Sequence, residues 1–281
     1  MRLVPAILFL ASAAALAFAQ DAPRPDAPKK EPVKYRPGDM KRPRPPVAEP
    51  PGWGSDEKPG KPPADAAVLF DGATLDAWFK SGKKPGDPDA VPGWKVENGY
   101  AEVVRGGGIT TRQKFGNAQL HIEWATPKEV KGNGQGRGNS GVHLGTFGEI
   151  QVLDSFGNDT YPDGQAAALY NRFPPLVNAS RRPGEWQTYD VITRLPKKDD
   201  TGKVVRPALI TVLHNGVLVH HAVEFGGNVG EYQIHLSDHG NPVRYRNIWV
   251  RKVGEYDEGG TPPPEPKAKC PPWHPAGGAI P

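Results

Sequence analysis

Apolar and polar residues alternate one for one in many short runs of this chain, and that period of two constrains its fold more than any other feature. In QLHIEW (residues 119–124), Leu120, Ile122 and Trp124 fall on one side, and Gln119, His121 and Glu123 on the other. Successive side chains of a strand point to opposite faces, so the pattern describes a half-buried β-strand. GVHLG sets Val142 and Leu144 against His143, and EIQVLD sets Ile150 and Val152 against Glu149 and Gln151. ALITVLHNGVLVHHAVEF reads as two strands about Asn215-Gly216, a pair suited to the positive-φ turn of a two-residue hairpin. No long segment has a period of 3.6. Many short strands divided by Gly, Pro, Asn and Asp over about 66–254 predict an all-β domain, a sandwich or barrel. Helix is expected only as short turns, as around DGQAAALY.

The texture changes at both ends. Residues 20–65 and 255–281 are Pro-rich, with mixed charges and few aliphatics. Such segments bury too little apolar surface to offset the entropy of ordering, and are expected to be semi-rigid linkers. Residues 1–19 have the form of a signal peptide: Arg2, an apolar run, then Ala17-Phe18-Ala19 as a small-x-small cleavage site. The run is short for a membrane anchor, so the expectation is a secreted or periplasmic protein with no membrane span after cleavage. Cys270, in the tail, is the one Cys of the 281 residues, so no internal disulfide holds the domain together despite the oxidising compartment. The formal charge is +4, with acidic and basic residues interleaved and no basic stripe carrying aromatics, which argues against a nucleic-acid partner.

The polar sides of the strands are unusual. Solvated sheet faces favour Lys, Thr and Ser, whereas here they carry His121, Glu123, His143, Glu149, Gln151, Gln233 and His235. If these sides share one sheet face, that face is a trough suited to hydroxyl-rich ligands. Between two strand-like runs near the end stand Asp238, His239, Gly240, Asn241 and Pro242, followed by Arg244 and Arg246. Asp, Gly, Asn and Pro are turn residues in their own right, but turn chemistry does not call for His239.

LFDGATLDAWF, GWKVENGYAEV, ITTRQKFGNAQLHIEW, GNSGVHL, EIQVLD, GQAAALY, GEWQTYDV, LHNGVLV and HLSDHGNPVRYRNIWVR occur in that order over about 68–251. This ordered set resembles the secreted bacterial 3-keto-disaccharide hydrolase domain. The resemblance implies a concanavalin A-like, jelly-roll β-sandwich acting on sugars oxidised at C3, with the glycosidic bond split by elimination or hydrolysis. A ketone at C3 acidifies the C2 proton, so such chemistry needs a base near C2, a stabiliser for the enolate oxygen and an acid for the leaving oxygen. Glu149 and His143 are the first candidates for proton transfer. Asp238 and His239 are further catalytic candidates, expected at the rim, and Arg246 is expected to converge on the same cavity to hold an oxyanion or a carboxylate. Gln151, Asp154, Asn139, Glu123, His121 and Tyr170 are candidates for binding sugar hydroxyls.

Two other readings stand beside this one. EIQVLD resembles the catalytic strand of laminarinase-type glycosidases, in which a β-bulge would bring Glu149 and Asp154 into one cleft. The domain would equally serve as a non-catalytic carbohydrate-binding module, with Trp94, Trp124 and Trp186 either stacking on sugar or buried in the core. His, Glu and Asp on one face would also suit a divalent metal that polarises the ketone, but no compact ligand spacing assigns one, and no cofactor is otherwise implied.

Overall fold

The computed structural model describes residues 55, 58–226 and 228–254. The signal-like stretch 1–19, most of the arm 20–65 and the tail 255–281 lie outside the described residues. Strands follow in the order β1 (Ala67–Phe70), β2 (Trp78–Lys80), β3 (Lys95–Glu97), β4 (Tyr100–Glu102), β5 (Ile109–Thr111), β6 (Ala118–Ala125), β7 (Ser140–Leu144), β8 (Glu149–Val152), β9 (Gln187–Arg194), β10 (Lys197–Lys198), β11 (Val204–Arg206), β12 (Ala208–His214), β13 (Val217–Phe225), β14 (Ile234–Leu236) and β15 (Arg244–Lys252). Helical structure among the described residues is limited to short 3-10 turns. One of them, Pro162–Gly164, falls where DGQAAALY led us to expect a turn.

Two sheets stack. The larger runs β13-β12-β9-β6-β15-β4-β3, with β1 also pairing to β15, and the smaller runs β2-β5-β14-β7-β8. β10 and β11 form a separate small hairpin. The apolar halves of the alternating runs meet between the sheets. Leu120, Ile122 and Trp124 of β6 join Val142 and Leu144 of β7, Ile150 and Val152 of β8, and Ile234 and Leu236 of β14 in one buried cluster. The arrangement is the concanavalin A-like sandwich expected from the sequence. The polar halves therefore point outward from two different sheets, which fixes where a site can lie.

Strand β15 departs from simple alternation. Arg246 pairs with Glu123, but Trp249 pairs with His121, so three steps on β15 match two on β6. The extra residue is a β-bulge at which Asn247 adopts a φ of +46°. It turns both Arg246 and Trp249 to the outer face, where Trp249 stacks on His121 with ring centroids 5.0 Å apart. Part of the segment read as linker also meets this sheet: the Arg246 guanidinium donates to the Ser55 carbonyl at 2.7 Å, and Arg251 pairs with Asp65.

Candidate active site

Glu149, His143, His235 and Thr110 are successive cross-strand partners on β8, β7, β14 and β5, and Phe79 of β2 follows Thr110. Directly opposed residues of antiparallel strands project from the same face. The five side chains therefore form one straight row across the outer face of the smaller sheet. His143 and His235 have ring centroids 4.9 Å apart, and His143 Nε2 lies 3.6 Å from Glu149 Oε1. Ser81 Oγ sits 2.8 Å from His235 Nδ1 and 2.8 Å from Thr110 Oγ1, which fixes the far ring. A groove of about 530 Å³ runs past His143 and His235 and is lined also by Gly145, Thr146, Glu231 and Gln233.

Two glycines make room for the row. A Cβ on Gly141 would lie 1.9 Å from Glu149 Oε1, and one on Gly108 would lie 2.5 Å from His235 Cε1. Glu149 is thus laid over the backbone of β7 and shielded from water, with 14% of its side chain exposed. Burial pushes its pKa up to about 7. Burial, with the charges of His235 and His239 added, pushes His143 down to about 4. His235 is lowered by burial, partly offset by a bond to the Ile109 backbone, and lowered further by His239. Between these two values the proton rests on the carboxyl and the imidazole is neutral, so the contact is an acid beside a base and not an ion pair.

Of the other candidates, Gln151 and Tyr170 adjoin the row directly, and Asn139, Asp238 and His239 lie on loops next to its strands β7 and β14. Gln151 is buried and follows Glu149 on the same face of β8. With its nitrogen toward Glu149 its amide donates to Glu149 Oε1 at 3.2 Å and to the Ser140 carbonyl at 3.0 Å; turned the other way it donates to Gln135 Oε1 at 2.8 Å. Asn139 donates to the Gln135 carbonyl. The Tyr170 backbone N–H donates to the Glu149 carbonyl, and its hydroxyl lies 2.5 Å from that of Tyr161. Asp238 braces a loop: its carboxylate accepts from the backbone N–H groups of Gly106, Gly107 and Gly240. Burial opposes its ionisation, but those three donors outweigh it and hold its pKa below the usual value. His239 is exposed and follows β14 by three residues.

Four candidates are elsewhere, and three of them divide the single trough expected from the sequence into two faces. His121, Glu123 and Arg246 lie on the outer face of the larger sheet, across the core from Glu149. Arg246 Nε donates to Glu123 Oε2 at 2.6 Å, Asn247 donates to Glu123 Oε1 at 2.8 Å, and His121 Nδ1 meets Asp190 at 2.7 Å. The expected convergence of Arg246 with His143 is thereby corrected: β15 pairs with β6, not with the smaller sheet. Asp154 is not a second cleft acid either. β7 and β8 pair without a register shift, and Asp154 lies beyond the strand, where its buried carboxylate accepts from Arg137 Nε at 2.7 Å and from the Phe156 N–H. Trp94 and Trp124 are core residues, and Trp186 is covered by the Arg246 guanidinium at 4.2 Å. Sequence reasoning gave His235 no role and passed over Thr110, Ser81, Gln135 and Tyr161. Only His235 carried a signal, its place on the polar side of an alternating run. Among the described residues, no group of three or more His, Cys, Asp or Glu is placed to hold a metal, and no helix is long and apolar enough to cross a membrane.

Comparison with known proteins places this sandwich in the carbohydrate-active, glycosidase-like class. Residues 65–251 match the 3-keto-alpha-glucoside-1,2-lyase-like domain, and the chain belongs to that family. It is 28% identical over 250 residues to the 3-keto-disaccharide hydrolase of Bacteroides thetaiotaomicron, covering 67% of this chain and 80% of that one. Its fold matches that of a candidate glycosyl hydrolase from Parabacteroides distasonis with a TM-score of 0.69 and 36% identity, covering 77% of this chain and 95% of the other. A second such protein from the same organism, 18% identical with a TM-score of 0.50 over 68% of this chain and 94% of its own, shares the fold.

Proposed function

We propose that this protein cleaves glycosidic bonds of sugars oxidised to a ketone at C3, and that it works outside the cytoplasm, as the signal-like stretch 1–19 implies. The observation that carries the reading is the Glu149–His143 pair, whose proton rests on the carboxyl at mildly acidic to neutral pH. Neutral His143 takes the C2 proton, which the adjacent ketone has made acidic. The electron pair released forms the C1–C2 double bond, and the C1–O bond breaks toward the leaving oxygen. Protonated Glu149 delivers its proton to that oxygen, giving an alcohol and an enone. His235, held by Ser81, lines the groove beside His143 and bounds the space for the ketone-bearing ring. Addition of water across the enone completes a net hydrolysis, and no electrons enter or leave.

The test is incubation of the full chain with 3-keto-glycosides, following enone absorbance and the released alcohol. Glu149→Gln is expected to lower turnover about a hundredfold or more, a general-acid contribution, with folding unchanged. Release of the alcohol at the wild-type rate by that variant would remove Glu149 from the reaction, and no release by the wild type would remove the reading.

A further inference from the structure

The row has an aromatic wall at its Glu149 end that the proton-transfer reading does not use. Tyr170 follows β8 through its backbone bond to Glu149, and Tyr161 is tied to it by the 2.5 Å contact between their hydroxyls, with ring centroids 6.2 Å apart. Tyr161 lies flat against Gly164, where an added Cβ would come within 2.1 Å of its ring. One face of that ring is thus backed by main chain while 41% of the residue stays exposed. Burial of the hydroxyl, its bond to Tyr170 and the nearby charges of Tyr170, Asp163 and Glu149 push the Tyr161 phenol up to about 12, so it remains a neutral donor. At the other end of the acid–base pair lies the groove past His143 and His235. Gln135, which meets the Gln151 amide, also donates to the Gly164 carbonyl and so ties this wall to the site.

The geometry points to Tyr161 and Tyr170 as a sugar-binding platform that receives one ring of a disaccharide while the groove at His143 and His235 receives the other. This assignment rests on the sugar-cleaving reading above, and adds which residues hold the ring on the far side of the scissile oxygen. The C–H face of a pyranose is apolar and packs on the open face of Tyr161, while the paired phenols offer polar edges to its hydroxyls. A platform of this kind acts on binding and leaves the chemical step alone.

The full chain and its Tyr161→Ala and Tyr170→Phe variants would be compared on a 3-keto-disaccharide and on the methyl 3-keto-glucoside, which lacks the second ring. Loss of the Tyr161 ring is expected to raise KM for the disaccharide about tenfold, the effect of losing roughly 1.4 kcal/mol of ring contact. KM for the methyl glycoside and kcat for both substrates should stay within about twofold. Tyr170→Phe, which keeps its ring but breaks the hydroxyl pair, should raise KM for the disaccharide by a smaller factor. Equal losses on both substrates, or none, would overturn the assignment. Calorimetric titration with the unoxidised disaccharide and with methyl glucoside separates this proposal from the lyase reading. Tenfold weaker disaccharide binding in Tyr161→Ala supports the platform even where the wild type turns nothing over. Unchanged disaccharide binding sinks it.

Discussion

Glu149 and His143 carry opposite departures from their ordinary pKa values, and the order in which they titrate sets a pH dependence. His143 must lose its proton to act as the base, and Glu149 must keep its own to act as the acid. We expect kcat/KM on a keto-glycoside to rise through about pH 4 and fall through about pH 7. A profile that keeps climbing through pH 7 would make Glu149 the base. The second residue-scale prediction concerns Gly141, whose missing side chain leaves the space that the Glu149 carboxyl occupies. In Gly141→Ala the new methyl group displaces the free end of a flexible side chain and not the backbone. Activity should fall at least about tenfold through misplacement of the acid, while stability changes by no more than about 1 kcal/mol. Parallel turnover and denaturation measurements check this, and an unfolded variant or an unaltered rate would each contradict it.

At the scale of the element, β6 and β15 carry a polar network that resembles a site in composition and has the construction of a brace. Glu123 and Arg246 are buried, with side-chain exposures of 6% and 7%. Burial opposes ionisation of Glu123, but bonds from His121, Asn247 and Arg246 outweigh it and hold the carboxyl below its ordinary value. The bulge at Asn247 supplies one of those donors and turns Trp249 over His121. Removing one partner of a buried ion pair strands the other, at a cost of about 3–5 kcal/mol. Glu123→Ala is therefore expected to lose stability of that order in chemical denaturation, yet to retain kcat/KM at temperatures where it is folded. A variant of wild-type stability but impaired turnover would return this cluster to the reaction.

For the whole molecule, the ionisable groups of both faces combine into a stability that peaks near neutrality. Burial disfavours the charged form of His121, but Asp190 and Glu123 more than compensate and raise it to about 9. Its contribution is complete below its unfolded value near 6.5 and is lost as pH rises through about 9. Glu149, raised by burial, acts in the same direction: its contribution is present below about 4.5 and lost as pH rises through about 7. His143 and His214 are lowered by burial first, to about 4 and about 3. Their contribution is present above about 6.5 and is lost as pH falls toward those values. Thermal melts should therefore show a Tm that declines on both sides of neutral pH, and His121→Gln should flatten the decline between about pH 6.5 and 9. An alkaline limb unchanged in that variant would assign the loss to other groups.

Alternation in the sequence determined a good deal by itself. It placed Leu120, Ile122, Trp124, Val142 and Leu144 inside, and His121, Glu123, His143 and Glu149 outside, because the side-chain period of a strand is local. Asn215-Gly216 marked a hairpin turn for an equally local reason: two residues suited to positive φ, observed at 52° and 76°. The ordered motifs placed the chain in its family. What the alternation could not say was which outer side of which sheet each polar residue would occupy. A period of two separates inside from outside but carries no label for the sheet, and sheet membership depends on hydrogen bonds between strands far apart in the chain. Pairing of β14 with both β5 and β7 brought His235 between Thr110 and His143, while pairing of β15 with β6 took Arg246 to the opposite side of the core. The raised carboxyl of Glu149 and the platform of Tyr161 and Tyr170 likewise arise from burial and close approach, which only the tertiary structure creates.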